Sequence, residues 1–247
     1  MRLATWSCHG ALREEAARIA ALRPDLLVVC ECEAAAVDDD VDFGGATPSG
    51  KAWFGQRGPR ARGLGMFSFG GIELRPEVPA DDPLQWFVPA TVTVPRQAGF
   101  QLVGVWTVEL DDQARSHRQA HEGLVRHREW IGARDTVLLG DFGHDATHEG
   151  RGKTPWQELL ALLRPLDLVS AYHEVHREAF GKESRPTSRA LHPTASDHHL
   201  DLVFLPRTWL PRIRTVAIAD LAEWRTHRAE ATGRDHAPVV VDLAHTG

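Results

Sequence analysis

Apolar residues in this chain gather in short runs set between polar and turn-forming positions: LLVVC, TVLLG, LVFLP and PVVVDL. Their length and β-branched content predict buried strands. Each run meets an acid or a histidine. Glu31 follows the first and Asp141 the second, His199 and Asp201 precede the third, and Asp235 and His236 precede the fourth. Neighbouring strands bring such ends to one rim, so the pattern gathers several carboxylates and an imidazole in a small volume. Carboxylates that close need a cation or a proton between them. The expectation is a divalent-metal site built for phosphoryl chemistry.

The remaining periodicities supply the frame. Arg2 to Ser7 alternates as a strand, with Leu3, Thr5 and Ser7 on one side. From Ala11 the period changes, because Leu12, Ala16, Ile19 and Leu22 share a helical face until Pro24 stops it. Leu26 to Glu31 is the next strand, and strand, helix and strand within about thirty residues predict a crossover unit. Asp, Gly and Pro between Val37 and Pro59 predict loops around one aromatic strand at Trp53 and Phe54. Gly65 to Phe69, Trp86 to Val94, Phe100 to Val108, Thr136 to Leu139, Leu200 to Leu205, Arg214 to Ile218 and Val239 to Leu243 complete the predicted strands. Gln113 to Ile131 reads as a polar helix with Leu124 and Ile131 inward. Thr154-Pro155-Trp156-Gln157 reads as a capped helix start leading to about Leu163. Leu168 to His199 predicts a long ordered loop. The sum is two packed sheets with helices outside, in one domain over residues 1–247, because no Pro, Gly or Ser-rich linker divides the chain.

Composition narrows the function. A formal charge of −6 offers no overall attraction for nucleic acid or anionic membranes, so a small phosphoester is expected ahead of nucleic acid. Cys8, Cys30 and Cys32 lie in or beside strand-like runs and imply core packing rather than a disulfide framework or a zinc site. No stretch approaches the ~18 apolar residues of a membrane span, and no signal-like segment opens the chain. The expectation is a soluble cytoplasmic protein with no membrane association and no obligate protein partner.

The chemistry-bearing residues follow. Glu31 at a strand end is a hard oxygen ligand suited to Mg²⁺ or Mn²⁺, with Glu33 as the neighbour that resembles it. Asp141, between Gly140 and Phe142, can orient or deprotonate a water for attack on phosphorus. His199 and Asp201, two apart, share a strand face, and an aspartate there can hold an imidazole in one tautomer. Asp235 and His236 couple a metal-type carboxylate with an imidazole. Each taken singly is also an ordinary turn or loop residue, and the shared strand-edge context sets the group apart.

In order, MRLATWSCHG, PDLLVVCECE, RGLGMFSF, LLGDF, HHLDLVFLP and RDHAPVVVDL make a series that resembles the endonuclease/exonuclease/phosphatase (DNase I-like) superfamily over nearly the whole length. The resemblance implies a four-layered α/β sandwich, two packed mixed β-sheets flanked by helices, with the site at one end. It implies that Glu31 ligates Mg²⁺ or Mn²⁺, with Asp235 beside that metal or at a second one. Asp141 would handle the nucleophilic water, and Asp201 would orient His236, which contacts or protonates the phosphate. The segment with Glu183, Pro186 and Thr187 resembles a bacterial subgroup of small members.

Two positions depart from the family pattern: Ser7 and Gly143 stand where members usually carry asparagine. Loss of one preorganised donor costs ~10²–10³ in turnover. His9 and His144 lie beside these positions and, with Ser7 and His199, are candidate substrate contacts. The stretch Val105-Trp106-Thr107 before Glu109 lacks a histidine often found there, for which His117, His121 or Tyr172 could stand in. If nucleic acid is bound, Arg57, Arg60 and Arg62 are the natural phosphate contacts. The favoured reading is a divalent-metal-dependent phosphoesterase that hydrolyses a phosphodiester or phosphomonoester by attack of water. The two departures raise the other: a repurposed or hydrolytically inactive member, a binding protein or a catalyst of secondary metabolism.

Overall fold

A computed structural model describes residues 1–38, 41–55, 62–79, 86–107, 113–144, 146, 155–190, 196–225 and 234–244, the side chains of 113–118, 155, 190 and 234 excepted. The chain begins with β1 (Arg2–Ser7), α1 (Leu12–Ala20), β2 (Leu26–Glu33), α2 (Ala35–Asp38), β3 (Gly50–Gly55), β4 (Arg62–Ser68) and β5 (Glu73–Pro76). It continues through β6 (Phe87–Thr93), β7 (Phe100–Trp106), α3 (Gln113–Arg126), α4 (Arg128–Gly132), β8 (Thr136–Asp141) and α5 (Pro155–Leu163). The last third holds β9 (Leu168–Ser170), α6 (Ala171–His176), β10 (Ser188–Ala190), β11 (Asp201–Pro206), β12 (Ile213–Ile218), β13 (Arg234–His236) and β14 (Val239–Leu243).

Two six-stranded mixed sheets result, in the orders β12-β14-β1-β2-β4-β3 and β5-β6-β7-β8-β11-β9, with a separate ribbon of β10 and β13. β1 and β2 are parallel neighbours, as the crossover through α1 requires. Side-chain alternation sorts the layers. Leu3, Val28, Leu64 and Met66 of the first sheet meet Leu102, Val137, Leu139 and Val203 of the second in a central core. Ala4, Trp6, Leu27 and Val29 face the other way, against Leu12, Ala16 and Ile19 of α1. Leu138, Leu202 and Phe204 likewise face outward, under Leu124, Leu159 and Leu163. The order is helices, sheet, sheet, helices. A one-residue slip in β1 would exchange these faces, and burying each such side chain contributes about 1.5–3 kcal/mol, so the register is strongly specified.

The same alternation places the chemistry. Ser7 has the parity of Leu3, Asp141 that of Leu139, and Asp201 that of Val203. All three therefore end inward-facing rows, at one rim between the sheets.

Three sequence expectations change. The helix predicted over Gln113 to Ile131 breaks at His127 into α3 and α4, while Leu124 and Ile131 are buried as expected. The loop predicted between Leu168 and His199 contains β9, α6 and β10. β5 and β13, reading ELRP and RDH, have no apolar alternation to reveal them and are held by their partner strands. Arg57, Arg60, Glu109 and Thr154, the expected helix cap, lie outside the described residues. Cys8, Cys30 and Cys32 are free and buried. Among the described residues no helix is long and apolar enough to cross a membrane.

Candidate active site

β8 and β11 pair antiparallel with Asp141 directly opposite Asp201. Two buried carboxylates at this spacing repel each other, and the neighbouring elements answer that repulsion. From β1, Ser7 Oγ stands 3.0 Å from Asp141 Oδ2 and 3.3 Å from Asp201 Oδ1. From β13, His236 Nδ1 stands 2.7 Å from Asp201 Oδ2. One ligand atom each from Asp141, Asp201 and His236 fall within 4.8 Å of one another.

His236 is held on three sides. Its Nε2 lies 3.1 Å from Ser188 Oγ, across the register that pairs Ser188 with His236. Its carbonyl accepts the Trp6 indole N–H at 3.1 Å. Burial by itself would lower the imidazole, but the charge and hydrogen bond of Asp201, with Asp141 and Glu31 behind, lift it to about 9. The balance favours the imidazolium. Burial first, then the Asp201 charge, pushes the Asp141 carboxyl up to about 6.

Backbone geometry fixes both aspartates. Gly140 has φ +149°, and any Cβ there would run into the Val105 carbonyl across the parallel β7 pairing, so only glycine carries the chain into Asp141. The Asp141 N–H donates to Cys30 Sγ at 3.4 Å, and Gly143 N–H donates to Asp141 Oδ1 at 2.7 Å. Thr187 Oγ1 accepts the N–H groups of Leu200 and Asp201, each at 2.9 Å.

Glu31 owes its position to a bulge. Across β2 and β4 the register moves from Val29 opposite Gly65 to Cys32 opposite Gly63, which inserts one residue on β2. Cys30 accordingly faces the central core and Cys32 the outer one. Glu31, between them, takes φ +55°, a left-handed conformation that costs about 1–3 kcal/mol for a residue other than glycine. Its carboxylate pairs with His9 Nδ1 at 2.9 Å and with the Arg62 guanidinium. Burial opposes ionisation, yet the His9 hydrogen bond and charge, with Arg62 and His236, hold Glu31 down at about 2. His9 shares the left-handed geometry, with φ +53°, and its ring meets that of His236 edge to face at 5.3 Å. Its Nε2 is buried and has no hydrogen-bond partner among the described residues.

The structure thus brings together Ser7, His9, Glu31, Asp141, Asp201 and His236. Asp235 is buried beside His236 in sequence but pairs with Arg225 at 3.8 Å rather than joining the three-residue group. His144 is buried just past Gly143 and also lies outside that group. His199 does not share a strand face with Asp201, because β11 begins only at Asp201. Its Nδ1 instead contacts the Arg185 carbonyl at 2.9 Å and its ring packs on Tyr172, so the imidazole that Asp201 holds is His236. Glu33 serves α1, accepting the N–H groups of Leu12 and Arg13. Tyr172 hydrogen-bonds Glu178 at 2.8 Å. Sequence reasoning gave no part in the site to Trp6, Cys30, Thr187 or Ser188. Only cross-strand pairing reveals them, since each acts on a residue far away in sequence.

The donor chemistry fits a hard divalent cation. Two converging buried carboxylates, one with a raised pKa, would be relieved by positive charge, and oxygen donors suit Mg²⁺ or Mn²⁺. The Glu31 edge already carries cationic partners.

No protein-family model and no curated protein matches the sequence. Solved structures do. A 3′ phosphatase from Neisseria bound to a product DNA hairpin superposes with a TM-score of 0.68 at 18% identity, over 99% of this chain and 100% of that one. The endonuclease domain of TRAS1, a telomere-specific non-LTR retrotransposon, gives 0.67 at 15%, over 100% and 99%. An AP endonuclease from Archaeoglobus fulgidus gives 0.66 at 13%, over 98% and 99%. The preference for a small phosphoester over nucleic acid, drawn from net charge, is overturned by these neighbours, which are named for DNA or for DNA-cutting activity. The physical reason is that a summed charge of −6 describes the whole surface. The field at one rim depends on which side chains stand there. Two mixed sheets between helices, matched end to end by these structures, give this chain a DNase I-like fold.

Proposed function

We propose that the protein is a divalent-metal-dependent phosphoesterase that acts on DNA, cleaving a phosphodiester or removing a terminal phosphate. The observation that carries this reading is the facing pair Asp141 and Asp201 with the His236 imidazole hydrogen-bonded to the second aspartate at 2.7 Å. Mg²⁺ or Mn²⁺ would be held by Glu31 with Asp141, and would supply charge to the phosphoryl oxygens as they become more negative. Asp141 takes a proton from the attacking water. Its carboxylate is aimed by Ser7 and the Gly143 amide, and its pKa of about 6 suits a base working near neutrality. The water oxygen bonds to phosphorus as the bond to the leaving oxygen breaks. His236, kept charged and oriented by Asp201, supplies the proton that the leaving oxygen takes up. Ser188, on His236 Nε2, would orient the imidazole, and His9, edge-on to the same ring, would contact phosphate oxygens.

The test is end-labelled hairpin DNA, with and without a 3′-phosphate, incubated with Mg²⁺, with Mn²⁺ or with a chelator. Turnover that requires the metal and falls by about 10³-fold in Asp141→Asn and in His236→Ala supports the proposal. DNA binding without turnover, by a folded protein supplied with metal, supports the second reading, a repurposed binding protein. One observation favours that second reading: Thr107 Oγ1 fills the space where a side chain at position 143 would start.

A further inference from the structure

Glu31 reaches the rim with both carboxylate oxygens engaged: Oε1 faces His9 Nδ1 at 2.9 Å and Oε2 the Arg62 guanidinium. Arg62 opens β4 at the sheet's end, and its side chain is 33% exposed where Glu31's is 17%. A divalent ion coming to Glu31 therefore meets a guanidinium already in place, and like charges cannot share one carboxylate edge without cost. The guanidinium fork that grips a carboxylate grips a phosphate with the same geometry. It also stands on the solvent side, where a phosphoester chain would arrive.

We infer that Arg62 and Glu31 form an exchange pair: a DNA phosphate draws the Arg62 guanidinium off Glu31, and the freed carboxylate passes to the divalent ion. The inference rests on the function proposed above. Charge balances without a proton moving or a covalent bond changing, since one ion pair gives way to two, guanidinium with phosphate and carboxylate with metal. The consequence is that metal and DNA bind with positive, reciprocal coupling, and the free protein holds divalent ions less tightly than its acids alone would.

The experiment is a Mn²⁺ titration followed by electron paramagnetic resonance. It uses wild type, Arg62→Ala and Arg62→Lys, each with and without a short phosphorothioate-linked DNA strand that resists cleavage. Releasing Glu31 from a part-buried ion pair should make Arg62→Ala bind Mn²⁺ about fivefold tighter without DNA. DNA, whose phosphate contacts the metal in every variant, should tighten Mn²⁺ binding to wild type by about fivefold more than it does to Arg62→Ala, with Arg62→Lys in between. A merely structural role for Arg62 would weaken Mn²⁺ binding on substitution, so equal or weaker binding by Arg62→Ala overturns the exchange, as does wild-type binding indifferent to DNA. If wild type binds no Mn²⁺, the exchange and the metal reading fall together. If wild type cleaves DNA with Mn²⁺ while Arg62→Ala shows unchanged affinity, the exchange alone falls.

Discussion

Ser7→Ala tests whether the site is held by a contest between two buried carboxylates. The Ser7 hydroxyl has a single proton and two oxygens to serve, Asp141 Oδ2 at 3.0 Å and Asp201 Oδ1 at 3.3 Å. A hydrogen bond to a charged group contributes about 1.5–3 kcal/mol, so the alanine variant should lose about 2 kcal/mol when both aspartates are ionised. The loss should depend on pH in a definite direction. Asp141 titrates at about 6 in the folded protein against 3.8 ordinarily, so between those values the native state binds the extra proton and stability falls as pH rises. Removing the hydroxyl moves the Asp141 carboxyl further up and steepens that fall. Urea unfolding at about pH 5 and about pH 8, in chelator, measures it. A deficit that is the same at both, or greater at the lower pH, would refute the idea that Ser7 separates two charges.

Three further outcomes are expected. Gly143→Asn should destabilise the protein by about 1–3 kcal/mol without a gain in turnover, because the new Cβ meets Thr107 Oγ1 although φ +61° itself admits asparagine. Thr107→Ala in the same chain should recover most of the loss in urea midpoint. Thr187→Val keeps the shape but leaves two buried amides without their acceptor, which should cost about 2–5 kcal/mol in thermal unfolding, with Thr187→Ser close to wild type. The His236 imidazole, raised from 6.5 to about 9, contributes stability that is full below the unfolded value and is lost as pH rises through the folded one. Urea midpoints should therefore decline from about pH 6 to about pH 10 in wild type, and His236→Gln should flatten that decline.

Sequence by itself determined the layers and the acids. Alternation in Arg2 to Ser7, the switch to helical period at Leu12 and the apolar runs before Asp141 and after Asp201 are local patterns, and the physics behind them, burial of every second or every third to fourth residue, is local too. They sufficed to read two sheets with helices outside and to single out Glu31, Asp141, His199, Asp201, Asp235 and His236 as candidates. They did not suffice for β13, whose three residues bury nothing periodic and depend on pairing with β10. Nor did they place His199, where spacing by two held only if the strand began earlier than it does.

Tertiary structure alone decided which partner each acid keeps. Asp201 takes His236 across 35 positions, the one pairing the resemblance implied, while Ser7 reaches Asp141 across 134 and Glu31 is turned to Arg62 and His9 by a bulge that no composition announces. Charge was legible as a sum, whereas the field at the rim was not. Coulomb energies depend on distance and burial, and a chain acquires both only when its strands pair.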